Sequence, residues 1–151
     1  MGQILDIGTA HQKIIRDEKA ITDRHNLFGD YWSGIDLSLD NAKIRPIDVN
    51  TARCMVEEYE WLGCMPAISL YCFGIYFDDY CGGVVVFSLE YIENLGRWDK
   101  YDSNGKIILL SRGVCLHWTP PNTNSKLVMG AIRMLPDEYK IITATTDHLA
   151  G

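Results

Sequence analysis

The most constraining stretch is the last third of the chain. Residues 106–116 are largely apolar over the length of a strand, and residues 117–124 form a loop with two prolines. In residues 125–135, Leu127, Val128, Ala131, Ile132 and Leu135 fall on one helical face. Pro136 breaks that pattern, and residues 139–146 are rich in β-branched side chains. Strand, helix and strand in that order require a crossover, so the two strands are parallel neighbours in one sheet.

The upstream pattern is equally regular. Residues 43–47 alternate and read as a short edge strand, where Pro46 is tolerable. Asp48 caps a helix over about residues 50–61, with Ala52, Met55, Val56 and Tyr59 on one face and Gly63 as the stop. Residues 68–77 are aromatic and β-branched. Residues 82–89 hold Val84-Val85-Val86-Phe87, a run expected of a strand covered on both faces. The tight Asp78-Asp79-Tyr80 link makes these two strands a hairpin. Residues 90–105 are polar and end in the turn Asp102-Ser103-Asn104-Gly105. The order is β-α-β-β-β-α-β, and the class is α/β (α+β) with a mixed sheet flanked by helices.

Residues 1–42 read as an N-terminal extension to a domain over residues 43–151. A polar segment at 11–27 carries a weak helical stripe (Ile14, Ile15, Ile21), and a turn-rich aromatic stretch follows at 28–34. With 151 residues, 47% apolar and 23% charged, the chain fits one ordinary globular domain and not a disordered or collagen-like polymer. No apolar run approaches the roughly 18–20 residues of a membrane span, and the N-terminus lacks a secretory pattern. Five cysteines, an odd count without a CxxC pair, read as reduced thiols of a cytoplasmic protein. The net charge of −6 argues against nucleic-acid binding by bulk charge, while leaving room for a local basic groove.

Several residues are candidates for chemistry. The segment from Trp118 through Asn122 and Asn124 to Ser125 leads into a helix N-terminus. Its unpaired N–H groups suit an anion, although Asn124 or Ser125 also reads as a plain cap. Neither a GxGxxG nor a Walker loop is present. Arg112 lies inside an apolar strand and needs partners, either a structural carboxylate or an anionic or planar substrate. Gly113 beside it permits a bulge or a close backbone approach. Asp147 follows the last strand, the end at which open α/β sheets hold ligands. His117 reads as a structural histidine, a general base or a metal ligand, and no HxH or HExxH spacing supports a zinc site, so no metal is expected. Glu57, Glu58 and Glu60 read as a solvated face, with Glu60 placed to turn into a cleft.

The element order resembles the first two-thirds of a GNAT acyltransferase fold. More narrowly, Leu110-Ser111-Arg112-Gly113, the run from Pro121 to Leu127, and Ala144-Thr145-Thr146-Asp147 with Gly151 resemble the phage Mom group. The resemblance spans about residues 43–151. It implies a GNAT-related enzyme that converts adenine N6 in double-stranded DNA to a carbamoylmethyl form and so protects phage DNA from restriction. It also implies acetyl-CoA or another acyl donor. By the same resemblance Arg112 orients the base or stabilises charge, Asp147 acts as base or orienter, and Ser125 with Asn122 and Asn124 holds the donor's anionic group. Trp61, Tyr71 and Trp118 are expected to stack on an extruded base. The chain departs from the pattern in three ways: Glu60 stands where family members often carry histidine, the GNAT pyrophosphate loop is missing, and the sequence stops before the family's last helix and strands. A missing C-terminal segment or a protein partner is therefore expected to complete the sheet. The alternatives are a non-catalytic binding or assembly module, and an N-acetyltransferase acting on another amine.

Overall fold

The structure, a computed structural model, describes residues 11–25, 34–101 and 106–145. Its elements in chain order are α1 (His11–His25), β1 (Lys43–Pro46), α2 (Val49–Tyr59), β2 (Ser69–Phe77), β3 (Tyr80–Leu89), α3 (Ile92–Leu95), a 3-10 turn (Gly96–Tyr101), β4 (Ile107–Cys115), α4 (Thr123–Met134) and β5 (Ile141–Ala144). The strands form one mixed sheet in the order β1-β2-β3-β4-β5. The first three pairings are antiparallel and β4–β5 is parallel, as the strand–helix–strand pattern requires. The polar stretch 90–105, to which the sequence pattern assigns no helix or strand, contains α3 and the 3-10 turn.

The valine run explains why the sheet is covered on both sides. Val84 and Val86 face α2 and pack with Ala52, Val56, Cys72 and Val114. Val85 and Phe87 face α4 and pack with Phe73, Ile75, Phe77, Ile108, Leu127 and Ala131. All four residues of the run are fully buried, and each such side chain contributes roughly 1.5–3 kcal/mol. An isolated helix of α2's length is marginal in water, so packing and capping sustain it. Asp48 supplies the cap, accepting the N–H groups of Asn50 and Thr51 at 2.9 and 3.0 Å.

One irregularity shapes the rest. Between β3 and β4 the register runs Phe87↔Leu110 and then Val86↔Arg112, so Ser111 is an extra residue with no partner. This β-bulge changes the parity of β4. Before it, Ile108 and Leu110 share the α4 face; after it, Arg112 and Val114 share the α2 face. Ser111 settles into the bulge by donating its hydroxyl to the Val86 carbonyl at 3.1 Å. Gly113, two residues on, is not itself the bulge, and a Cβ there would meet only ordinary contacts, the nearest 3.4 Å away.

The bulge coincides with the point where β5 leaves. β5 pairs with β4 only from Ile107 to Leu110. Beyond Leu110, among the described residues, β4 has β3 alone as a neighbour, and its other edge is open. Helix α1 is strapped across this region. Gln12 donates to the Tyr59 carbonyl at 2.7 Å and accepts the Trp61 N–H at 3.0 Å. Arg16 donates to the His117 carbonyl, Lys19 pairs with Glu58, and the His117 ring meets Asp23 at 2.5 Å. Among the described residues, no helix is long and apolar enough to cross a membrane.

Candidate functional site

The open edge of β4 borders a cavity of about 660 Å³. Its walls come from every element that converges there. Strand β4 gives the stretch from Leu109 to Cys115, α1 gives Gln12 and Arg16, and the end of α2 gives Glu60, Trp61 and Leu62. Helix α4 gives Asn124 and Val128, β3 gives Val85, and Tyr91 and Thr145, which follow β3 and β5 in the chain, complete the lining. A volume of this size is typical of small-molecule sites.

Arg112 enters the cavity because the bulge turns it to the α2 face. Its Nε donates to the Cys64 carbonyl at 2.7 Å and one terminal nitrogen to the Ser111 carbonyl at 2.6 Å, while the other lies 3.6 Å from Cys64 Sγ. The guanidinium is therefore half-buried and braced, with its charge not cancelled by a carboxylate within ion-pair distance among the described residues. Among the described residues, its partners are two backbone carbonyls and the Cys64 sulfur, and it faces a cavity.

Glu60, read from the sequence as part of a solvated face that could also turn into a cleft, takes the second course. Helix α2 ends at Tyr59, and Glu60, in extended conformation, turns back as its C-cap. It is only 8% exposed, whereas Glu57 and Glu58 are solvated as expected. Its Oε2 accepts the N–H groups of Leu62 and Gly63 at 3.1 and 3.2 Å, and Gly63 sits at φ +58, the left-handed turn the helix stop required. Burial pushes the Glu60 carboxyl above its ordinary range, against the opposing pull of Arg112 and the two N–H groups. The signal in the sequence was slight: a third glutamate directly before Trp61 and the glycine stop.

The other expected site residues divide. Trp61 lines the cavity, its ring stacked on His11 at 5.4 Å, and Asn124 lines it from the first turn of α4. Tyr71 and Trp118 are not among the lining residues. They pack edge-on against Tyr139 and Phe77, at 5.9 and 5.7 Å, as part of the core on the α4 face. Helix α4 begins at Thr123, with Asn122 as its N-cap at φ 69, so neither Asn124 nor Ser125 is the cap. Asn122 and Ser125 are exposed at this helix start and do not line the cavity. His117 is held in its pair with Asp23. Asp147 lies outside the described residues; Thr145, the last described residue, lines the cavity.

The thiols of Cys72, Cys81 and Cys115 are poor nucleophile candidates. Burial pushes the Cys115 thiol, at the cavity wall, up to about 12. Burial also raises Cys72 and Cys81. Cys54 and Cys64 are exposed rather than in the core, and all five cysteines are free.

A sequence profile of the Mom protein family matches residues 41–151. The chain belongs to the Mom protein family. Membership associates this Mom-family chain with phage DNA modification and with DNA as its substrate. No curated protein matches it. The matched span covers β1 to β5 and all the cavity walls except the two residues of α1.

Proposed function

We propose that this chain modifies adenine in double-stranded DNA, transferring a carbamoylmethyl group to N6 and so shielding phage DNA from restriction enzymes. The observation that carries this reading is the meeting of a braced cation, a buried carboxylate and an indole. Arg112, Glu60 and Trp61 share one cavity at the open edge of β4. Adenine N6 is out of reach inside a duplex, so the base is extruded into the cavity, with Trp61 as the stacking surface. Arg112 steadies negative charge that develops in the transition state, and Asp147, three residues after β5 in the sequence, orients the amine or takes its proton.

In this step the bond from N6 to the carbamoylmethyl CH2 forms as the bond from that carbon to the donor's leaving group breaks, and N6 gives up a proton. Acetyl-CoA or another acyl donor would instead leave an N6-acyl adenine. The reading therefore takes a donor that carries the carbamoylmethyl group on an anionic leaving group and is held by that anionic part. The first turn of α4 favours that part: Asn124 lines the cavity there, and the helix start concentrates positive partial charge. Asn122 and Ser125 flank it, and Arg16 adds a second cation to the walls. Pro120 and Pro121 remove two N–H donors from the approach to the helix. That chemistry fits a single carboxylate or phosphate better than a pyrophosphate.

The test is mass spectrometry of nucleosides from the DNA of cells expressing the protein. A modified adenine is expected with the wild-type chain and absent with Arg112→Ala and with Asp147→Ala, each checked for a wild-type melting transition. Unmodified DNA from wild-type cells, or full modification by either variant, overturns the reading.

A further inference from the structure

We infer that Glu60 is the residue that selects adenine, its carboxylate oxygen Oε1 accepting the exocyclic amine of the extruded base. This rests on the proposed DNA-adenine reading and goes further by assigning base discrimination to one atom. The two oxygens of Glu60 are not equivalent. Oε2 is committed to the N–H groups of Leu62 and Gly63. Oε1 accepts no hydrogen bond among the described residues, and it is not among the sealed, unpartnered polar atoms of the interior. Glu60 lines the cavity beside Trp61, so Oε1 is an acceptor left open next to an aromatic surface. Arg112 lies close enough to favour the Glu60 anion. It forms no ion pair with Glu60 among the described residues. The carboxylate is thus oriented but not consumed.

The chemistry selects by sign. Adenine offers N–H donors at its sixth position, where guanine offers the acceptor O6. A carboxylate oxygen attracts the first and repels the second. Cytosine also offers an amine at the matching edge, and the smaller pyrimidine ring leaves more of the Trp61 surface uncovered.

The pinning of Oε2 makes a sharp test available. In Glu60→Gln the carbonyl must take the Oε2 place, because an amide NH2 there would confront two N–H donors. The NH2 is then forced to face the cavity, and the open acceptor becomes a donor without change of shape. The probe is a duplex oligonucleotide with one unpaired adenine opposite an abasic site, compared with guanine and with purine (which lacks the amine) at the same place. Affinities are read by fluorescence anisotropy. Wild type is expected to prefer adenine over both by roughly 10–100-fold, the range of one good base contact. Glu60→Gln is expected to lose that preference or invert it toward guanine.

A wild-type protein that binds purine as well as adenine overturns the proposal without any variant, so misfolding of Glu60→Gln does not protect it. An unchanged adenine-to-guanine ratio in a folded Glu60→Gln also overturns it. Modified adenine in wild-type cells, measured separately, tells failure of this assignment apart from failure of the reading it rests on. If no adenine is modified, both fall.

Discussion

Deleting Ser111 separates the architecture of the site from the stability of the fold. The residue is the extra one in the β3–β4 ladder. Without it Leu110 still faces Phe87, and the next residue, Arg112, still faces Val86, so every buried side chain keeps its side of the sheet. The losses are the Ser111 hydroxyl bond to Val86 and the Arg112 bond to the Ser111 carbonyl. Together these are about 2–3 kcal/mol, since the arginine is partly solvated. The gains are a regular ladder, about 1 kcal/mol, and one residue fewer to order, about 1–2 kcal/mol. The net change is within about 1 kcal/mol, and the melting temperature should stay within roughly 2–4 °C of wild type. Arg112 keeps its bond to the Cys64 carbonyl but loses its second carbonyl anchor, so its guanidinium is no longer fixed in the cavity. Circular dichroism melting and nucleoside mass spectrometry read the two effects, and the expected result is a stable protein that leaves adenine unmodified. Wild-type modification by the deletion variant would refute the role given to the bulge, and a melting temperature more than about 10 °C lower would refute the register argument.

Two further outcomes follow from the packing and the titration. Gly83→Ala places a Cβ 2.7 Å from both Cys115 Sγ and the Val114 carbonyl oxygen. Backbone cannot yield as a side-chain end can, so a loss of about 1–3 kcal/mol is expected in urea unfolding, whereas a cost near zero would mean that β3 and β4 are further apart than described. Glu60 has a folded-state pKa raised by burial, so the folded chain holds that proton more tightly than the unfolded one. Its ionisation therefore costs stability above the ordinary value near 4.5, and the cost is fully present above the raised pKa. Glu60→Gln should melt at or above wild type near pH 7, with the difference shrinking as pH falls below the ordinary carboxylate range; a difference that grows on acidification would contradict the stated sign.

The sheet was legible because its signals are redundant. Val84-Val85-Val86-Phe87 announced a strand buried on both faces, and the strand–helix–strand order required the parallel β4–β5 pair. Gly113 allowed a bulge in this strand, but its place at Ser111 was not legible, for a related reason. Ile107, Ile108, Leu109 and Leu110 are apolar on both faces, so alternation carried no phase, and a one-residue shift left no mark in the pattern. A strict two-residue period would have put Arg112 on the same face as Leu110, inside the α4 core. Arg112 itself was conspicuous, as a cation in an apolar run. Glu60 was hidden by its company, since Glu57 and Glu58 on the same helix are solvated and only the ending of α2 at Tyr59 turns Glu60 inward. Tyr71 and Trp118 show the converse limit. An aromatic residue beside a strand end has the same sequence appearance whether it fills the core or faces a ligand, and here both fill the core.

The central claim is that the extruded base sits at the open edge of β4, against Trp61. Photocrosslinking tests it most directly, using a duplex that carries a photoreactive adenine analogue at an unpaired position and mapping the adduct by peptide mass spectrometry. The account predicts adducts on Trp61 or within residues 109–115, lost when Trp61→Ala and Arg112→Ala are combined. Adducts confined to β1 or to the outer face of α4, unaffected by that double substitution, would contradict it.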